Sequence, residues 1–253
     1  MQQKTLKKIV LEKKLRKIIL LAIIVIIAMM VSCFGIAAFR QFTGGFTVNL
    51  HFRYGYRHLS IYDNSLLINP RTDIVAEPLE NDMAPVTRSW FGHPDHPLIP
   101  SFEYIDSLGG GSHHGVRNQR STYFAFTFYM RNHGIRPETY QTRIQLLDVA
   151  KNVDAGIRIV LIRDSHYYGH VNNVRMPVIY AKEALTGGPD VYSDRIFLQP
   201  DGNRGTIIFF ENQIGPQEVH RFTVIMYLEG EDPEVCDEMI GGMIRLSMDF
   251  YAL

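Results

Sequence analysis

A chain of 253 residues is long enough for one large domain or two small ones. Its formal net charge is +0, but the first seventeen residues hold seven basic side chains and one acidic one, and the remainder holds 19 basic and 25 acidic ones. An acidic body whose arginines form no basic run excludes nucleic acid from the expected partners. Two cysteines cannot supply a disulfide framework for a domain of this size.

An uncharged run of 22 residues follows the basic head; it begins with Ile18 and ends with Phe39. As a helix it would span roughly 33 Å, which exceeds the hydrocarbon core of about 30 Å. Because lysines gather before the run, the positive-inside rule places residues 1–17 in the cytoplasm and residues 40–253 outside the cell. The sequence therefore predicts a cytoplasmic polybasic segment at 1–17, a transmembrane helix or uncleaved signal anchor at 18–39 with the lipid bilayer as its partner, and an extracellular domain at 40–253.

Two other fates of this segment stay open. The small residues around 35–38 are typical of a signal-peptidase site, and cleavage near Ala38 would release a secreted domain. The apolar run is, however, longer than the roughly 7–15 residues of a usual signal-peptide core. Cys33 faintly resembles a lipoprotein acceptor, but apolar residues follow it instead of a polar tether. We expect a retained anchor, which separates Cys33 from Cys236, so these two cannot pair; Cys236 is then either buried or free for an intermolecular bond.

The extracellular domain begins with FTVNLHFR at 46–53, in which Phe46, Val48 and Leu50 share one face and Thr47 and Asn49 the other. This period of two recurs and predicts nine strands, at 46–53, 58–63, 121–132, 139–149, 155–164, 174–182, 204–211, 218–230 and 242–253. Their spacing predicts an all-β fold, an antiparallel jelly-roll-type β-sandwich behind a single N-terminal transmembrane helix.

Residues 64–120 interrupt the strand pattern. They are rich in Pro, Gly, Asp and Asn, as in GHPDHPLIP at 92–100 and GGGSHH at 109–114, and show no sustained period. The segment is predicted to be a long excursion over the surface of the domain, with room for a short helix or strand. By contrast, STYFAFTFYM at 121–130 is apolar on both faces, which predicts a central strand covered on both sides.

The stretch between Glu229 and Glu238 gathers six acidic residues and one cysteine. It lacks the D-x-[DN]-x-[DN]-G spacing of a calcium loop, so a cation site is only the alternative interpretation. Asp232 followed by Pro233 is a helix-start pattern, and the two glycines at 241–242 are a stop pattern. The sequence therefore predicts a helix of about two turns between two strands, with the acids in solvent and Cys236 facing the core.

Three stretches resemble the TasA/camelysin-like ectodomains of Gram-positive bacteria: GSHHGVRNQRSTYFAFTFYMRNHG at 111–134, TYQTRIQLLDVAKNVDAGIRIVLIRD at 139–164 and YLEGEDPEVCDEMIGGMIRLSMDF at 227–250. The order of basic N-terminus, hydrophobic segment and first strand is similar too. The resemblance implies a jelly-roll domain of the cell surface or biofilm matrix. In fibre-forming members a cleaved N-terminal strand completes the sheet of a neighbouring subunit, a role that would fall to residues 46–53.

The histidines are the candidate metal ligands, because some proteins of this resemblance are described as metalloendopeptidases. A zincin would carry H-E-x-x-H on a helix, and the sequence has no such motif. His93 and His96 lie in a Pro-rich loop and His113 and His114 are adjacent, yet both pairs fall in the same excursion and could converge with Asp95 on a surface zinc ion. Without the motif we expect no catalytic residue, no metal site and no cofactor.

The expected function is structural or adhesive and non-enzymatic. It is that of a membrane-anchored extracellular β-sandwich whose partners are like domains or components of the cell envelope and matrix. A secreted fibre-forming matrix subunit, made by signal-peptide cleavage, and a metal-dependent endopeptidase are the alternatives. The dense aromatic residues at 123–129 are expected in the sandwich core and not in a carbohydrate- or peptide-binding groove.

Overall fold

The computed structural model describes residues 45–52, 58–79, 82–164, 166–167, 178–188, 190–197 and 205–253, together with the single positions Ile19, Val25 and Met29. The predicted cytoplasmic segment at 1–17 and all but three positions of the predicted transmembrane segment at 18–39 lie outside the described residues. Within the described part of the chain, no helix has the length and apolar character needed to cross a membrane. Gly44 to Leu253 forms one compact unit.

Within these ranges the chain forms thirteen strands: β1 Gly45–Phe52, β2 Leu59–Tyr62, β3 Asp73–Val75, β4 Gly111–Arg117, β5 Arg120–Asn132, β6 Glu138–Ala150, β7 Ile157–Arg163, β8 His166–Tyr167, β9 Ile179–Ala181, β10 Arg195–Ile196, β11 Gly205–Ile214, β12 Val219–Leu228 and β13 Met243–Ala252. There are also two short α-helices, α1 Phe102–Ser107 and α2 Val153–Gly156, and two 3-10 helices, Arg88–Trp90 and Asp237–Met239. Each of the nine predicted strands has a counterpart; β3, β4, β8 and β10 are additional.

The first sheet, sheet A, has the strand order β11-β6-β13-β1-β3. Its first strand in the chain, β1, lies parallel to its last, β13, from Gly45 opposite Arg245 to Phe52 opposite Ala252. All other pairs in sheet A are antiparallel. β1 is therefore held within its own domain, between β13 and the three-residue strand β3.

The second sheet, sheet B, has the order β10-β9-β7-β12-β5-β2. Two strands divide the remaining edge of β5, because β2 pairs with its last residues and β4 with its first ones. β8 pairs with the end of β7. The fold is thus all-β and built from two sheets, which confirms the predicted β-sandwich.

The main core lies between the two sheets, since alternate side chains of each strand point inward. The predicted apolar face of β1, which includes Phe46, is buried in it. Phe128 of β5 stacks on Phe222 of β12 with ring centroids 5.3 Å apart and meets Phe250 of β13 edge-on at 5.8 Å. As predicted, the aromatic residues of β5 are packed in the domain interior.

Part of the predicted surface excursion packs as a third layer. Residues 82–108, called the cover segment below, bury Val86, Ile99, Phe102 and Ile105 against the outer side chains of β5, β7 and β12. The predicted surface excursion thus buries apolar side chains here, which the sequence did not indicate because they follow no regular period. β5 is covered on both faces, as its sequence predicts.

The acidic stretch after β12 does not form the predicted two-turn helix. A single 3-10 turn is present, and Cys236 is exposed instead of facing the core. Glu229 and Asp232 are buried instead of solvated, at 0% and 3% exposure. The reason is the buried guanidinium of Arg158 on β7, which forms an ion pair with Asp232 at 2.9 Å. The other carboxylate oxygen of Asp232 accepts a backbone N–H two residues on, which makes a turn and not a helix cap.

Cys236 should therefore react with a thiol reagent in the folded protein. In a Cys33→Ser variant it is the only cysteine, and we expect one maleimide label per chain under native conditions, because an exposed thiol is accessible without unfolding. Intact mass spectrometry measures the label, and a variant that also carries Cys236→Ser is the blank. A thiol that reacts only after denaturation would contradict the exposed position.

Candidate functional site

The outer face of sheet A carries an ordered set of polar and aromatic side chains, which we call the open face. The strand register places them in two rows. They point outward because their neighbours along each strand face the core. All are half-buried or exposed except Asp249. The first row holds Asp73, Asn49, Asp249, Arg143 and Phe209, and the second holds His51, Tyr251, Gln141 and Glu211.

Asp249 is the fixed centre of the open face. Its side chain is 8% exposed and accepts hydrogen bonds from Asn49 Nδ2 at 2.8 Å and from the Ser247 hydroxyl at 2.8 Å. His51 Nε2 lies 3.2 Å from the same carboxylate. Because a carboxylate can only accept, this contact places the proton of His51 on Nε2. The network joins β1 to β13 and holds these side chains in defined positions.

Planar side chains stack across four adjacent strands of the open face. His51 lies against Tyr251 with ring centroids 4.8 Å apart and an angle of 16° between the rings. The guanidinium of Arg143 lies 5.3 Å from the ring centroid of Tyr251 and 5.5 Å from that of Phe209. Desolvation raises the pKa of Tyr251, and the nearby Asp249 adds to this effect while Arg143 opposes it. Within this stacked row, Tyr251 and Arg143 each lie between two neighbours, which restricts their movement.

Arg143 is the side chain of the stacked row that is available to bind a partner. Among the described residues it forms no ion pair, and its Nε atom is buried without a hydrogen-bond acceptor. Its position is instead fixed by the two aromatic rings. The terminal N–H groups of its half-buried guanidinium form no hydrogen bond within the described residues, so they can bind acceptor oxygens of a partner.

The four histidines named as candidate zinc ligands do not assemble into one site. His93 and His96 lie close, with ring centroids 5.8 Å apart, and His96 stacks on Trp90 at 4.3 Å. His113 and His114 are consecutive residues of β4 and therefore point to opposite faces, and His113 Nε2 is 3.1 Å from the carbonyl oxygen of Gly109. Over the described ranges, no three His, Cys, Asp or Glu side chains form a group that could hold a metal ion.

Buried charges elsewhere hold the cover segment on sheet B. Glu229, directly after β12, accepts the backbone N–H of Arg88 at 3.2 Å, and desolvation raises its pKa despite this bond. At the other end of the segment, Asp106 of α1 forms an ion pair with Arg221 and accepts the hydroxyl hydrogen of Thr223 at 2.6 Å. Both carboxylates bind groups of their own domain, so their role is to attach the cover segment to β12.

The chain matches no protein-family model, no curated protein and no solved structure. Its geometry and exposure alone mark the open face as the candidate site.

Sequence reasoning did not identify the open face, although its pattern was present. Polar or aromatic residues occupy alternate positions of three strands: Thr47, Asn49 and His51 in β1, Gln141, Arg143 and Gln145 in β6, and Ser247, Asp249 and Tyr251 in β13. Each pattern alone indicates an outer face of a strand. What the sequence does not show is that these three strands are neighbours.

Proposed function

We propose that this chain is a single-pass membrane protein that displays a jelly-roll-type β-sandwich on the outer surface of a Gram-positive-type cell. It acts there as a structural or adhesive domain without enzymatic activity, as the resemblance to TasA/camelysin-like ectodomains implies. The observation that carries the proposal is the run of 22 uncharged residues between the basic head and β1. Such a run suits a bilayer core, and lysines on one side favour a cytoplasmic N-terminus.

The two outer faces of the sandwich differ in a way that supports an adhesive role. The cover segment occupies the outer face of sheet B, where its apolar residues are buried. On sheet A, by contrast, Phe209 is 44% exposed and the side chain of His51 is 49% exposed. The open face is therefore the surface on which we place contacts with envelope or matrix components.

A secreted fibre subunit is the second candidate, and the position of β1 favours it. β1 is the first strand of the domain. On the side away from β13 its only neighbour among the described strands is β3, which has three residues. To donate β1 to a neighbour, a subunit would have to separate its eight residues from β13. Cleavage of the anchor would have to come first.

Intact mass and N-terminal sequencing of membrane and medium fractions test the proposal. We expect a full-length species of 29.0 kDa in the membrane fraction and its loss from intact cells after external protease treatment. A variant with Ile23→Lys and Ile24→Lys, which interrupts the apolar run, should leave the membrane fraction. A species in the medium that starts near Phe39 would replace the anchor with the fibre proposal. Casein cleavage that a chelator abolishes would instead favour the endopeptidase.

A further inference from the structure

The charges of the open face suit an uncharged partner. The nine residues of its two rows include one cation, Arg143, and three carboxylates, those of Asp73, Asp249 and Glu211. Asp249 is buried and uses its oxygens on Asn49, His51 and Ser247, so one cation and two carboxylates remain available to a partner, a net charge of −1. A polyanion needs a surface rich in Lys and Arg, and a polycation needs a strongly acidic one. The open face is neither rich in Lys and Arg nor strongly acidic.

The hydrogen-bonding groups of the open face suit a partner that both donates and accepts. The terminal N–H groups of the half-buried Arg143 form no hydrogen bond within the described residues and supply donors, and Asp73 and Glu211 supply acceptors. Gln141, whose Nε2 donates to Glu211 at 3.2 Å, carries both kinds of group beside them. A sugar hydroxyl can donate one hydrogen bond and accept others, so a polymer with many hydroxyls can match this mixed pattern along its length.

Apolar surface flanks the polar groups at both edges of sheet A. Phe209 has Arg143 on one side, and because β11 is the edge strand of the sheet, no described strand lies beyond its ring. At the opposite edge, Val75 of β3 is 70% exposed. The C–H faces of sugar rings pack on such surfaces while their hydroxyls point to polar groups.

We propose that the open face binds a neutral, hydroxyl-rich polysaccharide of the extracellular matrix. Arg143 and Phe209 are the main contact residues, and Asp249 is a positioning residue that acts through His51 and Asn49. The inference rests on the proposed surface display and specifies the ligand class of that surface. Binding is favoured because the stacked row is already ordered in the free protein, so little conformational entropy is lost on contact.

Retention on insoluble polysaccharides tests the inference. The full-length chain is solubilised in a detergent without a sugar headgroup, which would compete, and is incubated with cellulose and with insoluble β-1,3-glucan. Cross-linked polygalacturonate is the anionic comparison. We expect retention on at least one neutral polymer and about tenfold weaker binding for Arg143→Gln and for Phe209→Ala, each of which removes one contact of roughly that strength.

Two matched variants separate the open face from general effects. Tyr104→Ala removes an exposed aromatic side chain from α1, and Arg120→Gln removes an exposed arginine from β5; both should bind like the wild type. Far-UV circular dichroism checks that all variants are folded, which we also expect of Phe209→Ala because Phe209 is exposed on an edge strand. Retention on neither neutral polymer, equal retention of every variant, or retention on polygalacturonate alone would overturn the inference.

Two further readouts distinguish polysaccharide binding from dimerisation through the open face and from the proposed surface display. If light scattering shows that Phe209→Ala dissociates a dimer while retention is unchanged, the open face is an interface between copies and the polysaccharide inference is wrong. Retention is measured on solubilised protein, so a cytoplasmic location of the domain would defeat the display proposal without changing the binding result.

Discussion

Replacing Arg158 with methionine should destabilise the folded domain by about 3–5 kcal/mol, because it leaves buried carboxylates without their cation. The side chain of Arg158 is 0% exposed and lies 2.9 Å from Asp232 and 3.6 Å from Asp190. Its remaining N–H groups donate to the carbonyl oxygens of Val191, Ala155 and Ile157. Methionine fills a similar volume but offers no donor. The loss therefore reflects unpaired polar groups more than a cavity.

Urea unfolding followed by circular dichroism measures this loss. Arg120→Met, at an exposed position of β5, is the matched control and should stay within about 0.5 kcal/mol of the wild type. Adding Asp232→Asn to Arg158→Met should recover part of the stability, since the asparagine carries no charge and still offers Oδ1 to the backbone N–H that Asp232 binds. An Arg158→Met variant as stable as the wild type would show that the ion pair contributes little.

Acid pH should narrow the difference in the free energy of unfolding between Arg158→Met and the wild type. Desolvation raises the pKa of Asp190, while the Val191 N–H and Arg158 lower it. Loss of Arg158 removes one lowering contribution, so the pKa of Asp190 rises further in the variant. A carboxyl with a raised folded pKa is stabilising below its unfolded pKa of about 3.9, and that stability is lost as pH rises through the folded pKa. The deficit is therefore larger at about pH 7 than at about pH 5.

Arg158 also shows why the sequence did not reveal a fully buried charge. In AGIRIVLIRD it alternates with Ile157 and Ile159, so the pattern correctly assigns it to the face opposite the main core. Whether that face is exposed to solvent or buried depends on the cover segment and on Asp232, which is 74 residues away in the chain. Local periodicity carries no information on such distant partners.

The misread acidic stretch has the same physical origin. Asp232 before Pro233 favours the start of a helix locally, and the glycines at 241–242 favour its end. The ion pair with Arg158 competes with that local preference and draws Asp232 inward, which leaves room for only a 3-10 turn. A tertiary contact worth several kcal/mol overrides capping terms of about 1 kcal/mol.

Strand identity was predictable, but strand neighbours were not. The alternating residues of β1, β6 and β13 are visible in the sequence, and all three strands form. Their order brings Asn49 and Asp249 within hydrogen-bonding distance across a separation of 200 residues. Sequence periodicity shows that each strand has an outer face, whereas the open face exists only because three such faces lie side by side.

Replacing Asp106 with alanine should release the cover segment from sheet B at a cost of about 2–3 kcal/mol. Asp106 is 4% exposed and is the group through which α1 binds Arg221 and the Thr223 hydroxyl of β12. The cost stays below that of a fully buried pair because the Arg221 side chain is 26% exposed and can regain water. The helix keeps Phe102 and Ile105 but loses its polar attachment, so it should open before the sheets do.

The only tryptophan of the chain makes this opening measurable on its own. Trp90 lies in the cover segment and stacks on His96, so its fluorescence reports the segment, whereas far-UV circular dichroism reports the sheets. In Asp106→Ala we expect the fluorescence transition at lower urea than the dichroism transition, with faster proteolysis within residues 92–100. Ser107→Ala, an exposed position on the same helix, should leave the two transitions as in the wild type. Coincident transitions in Asp106→Ala would mean that the cover and the sheets unfold as one cooperative unit, because two probes of a two-state transition must agree.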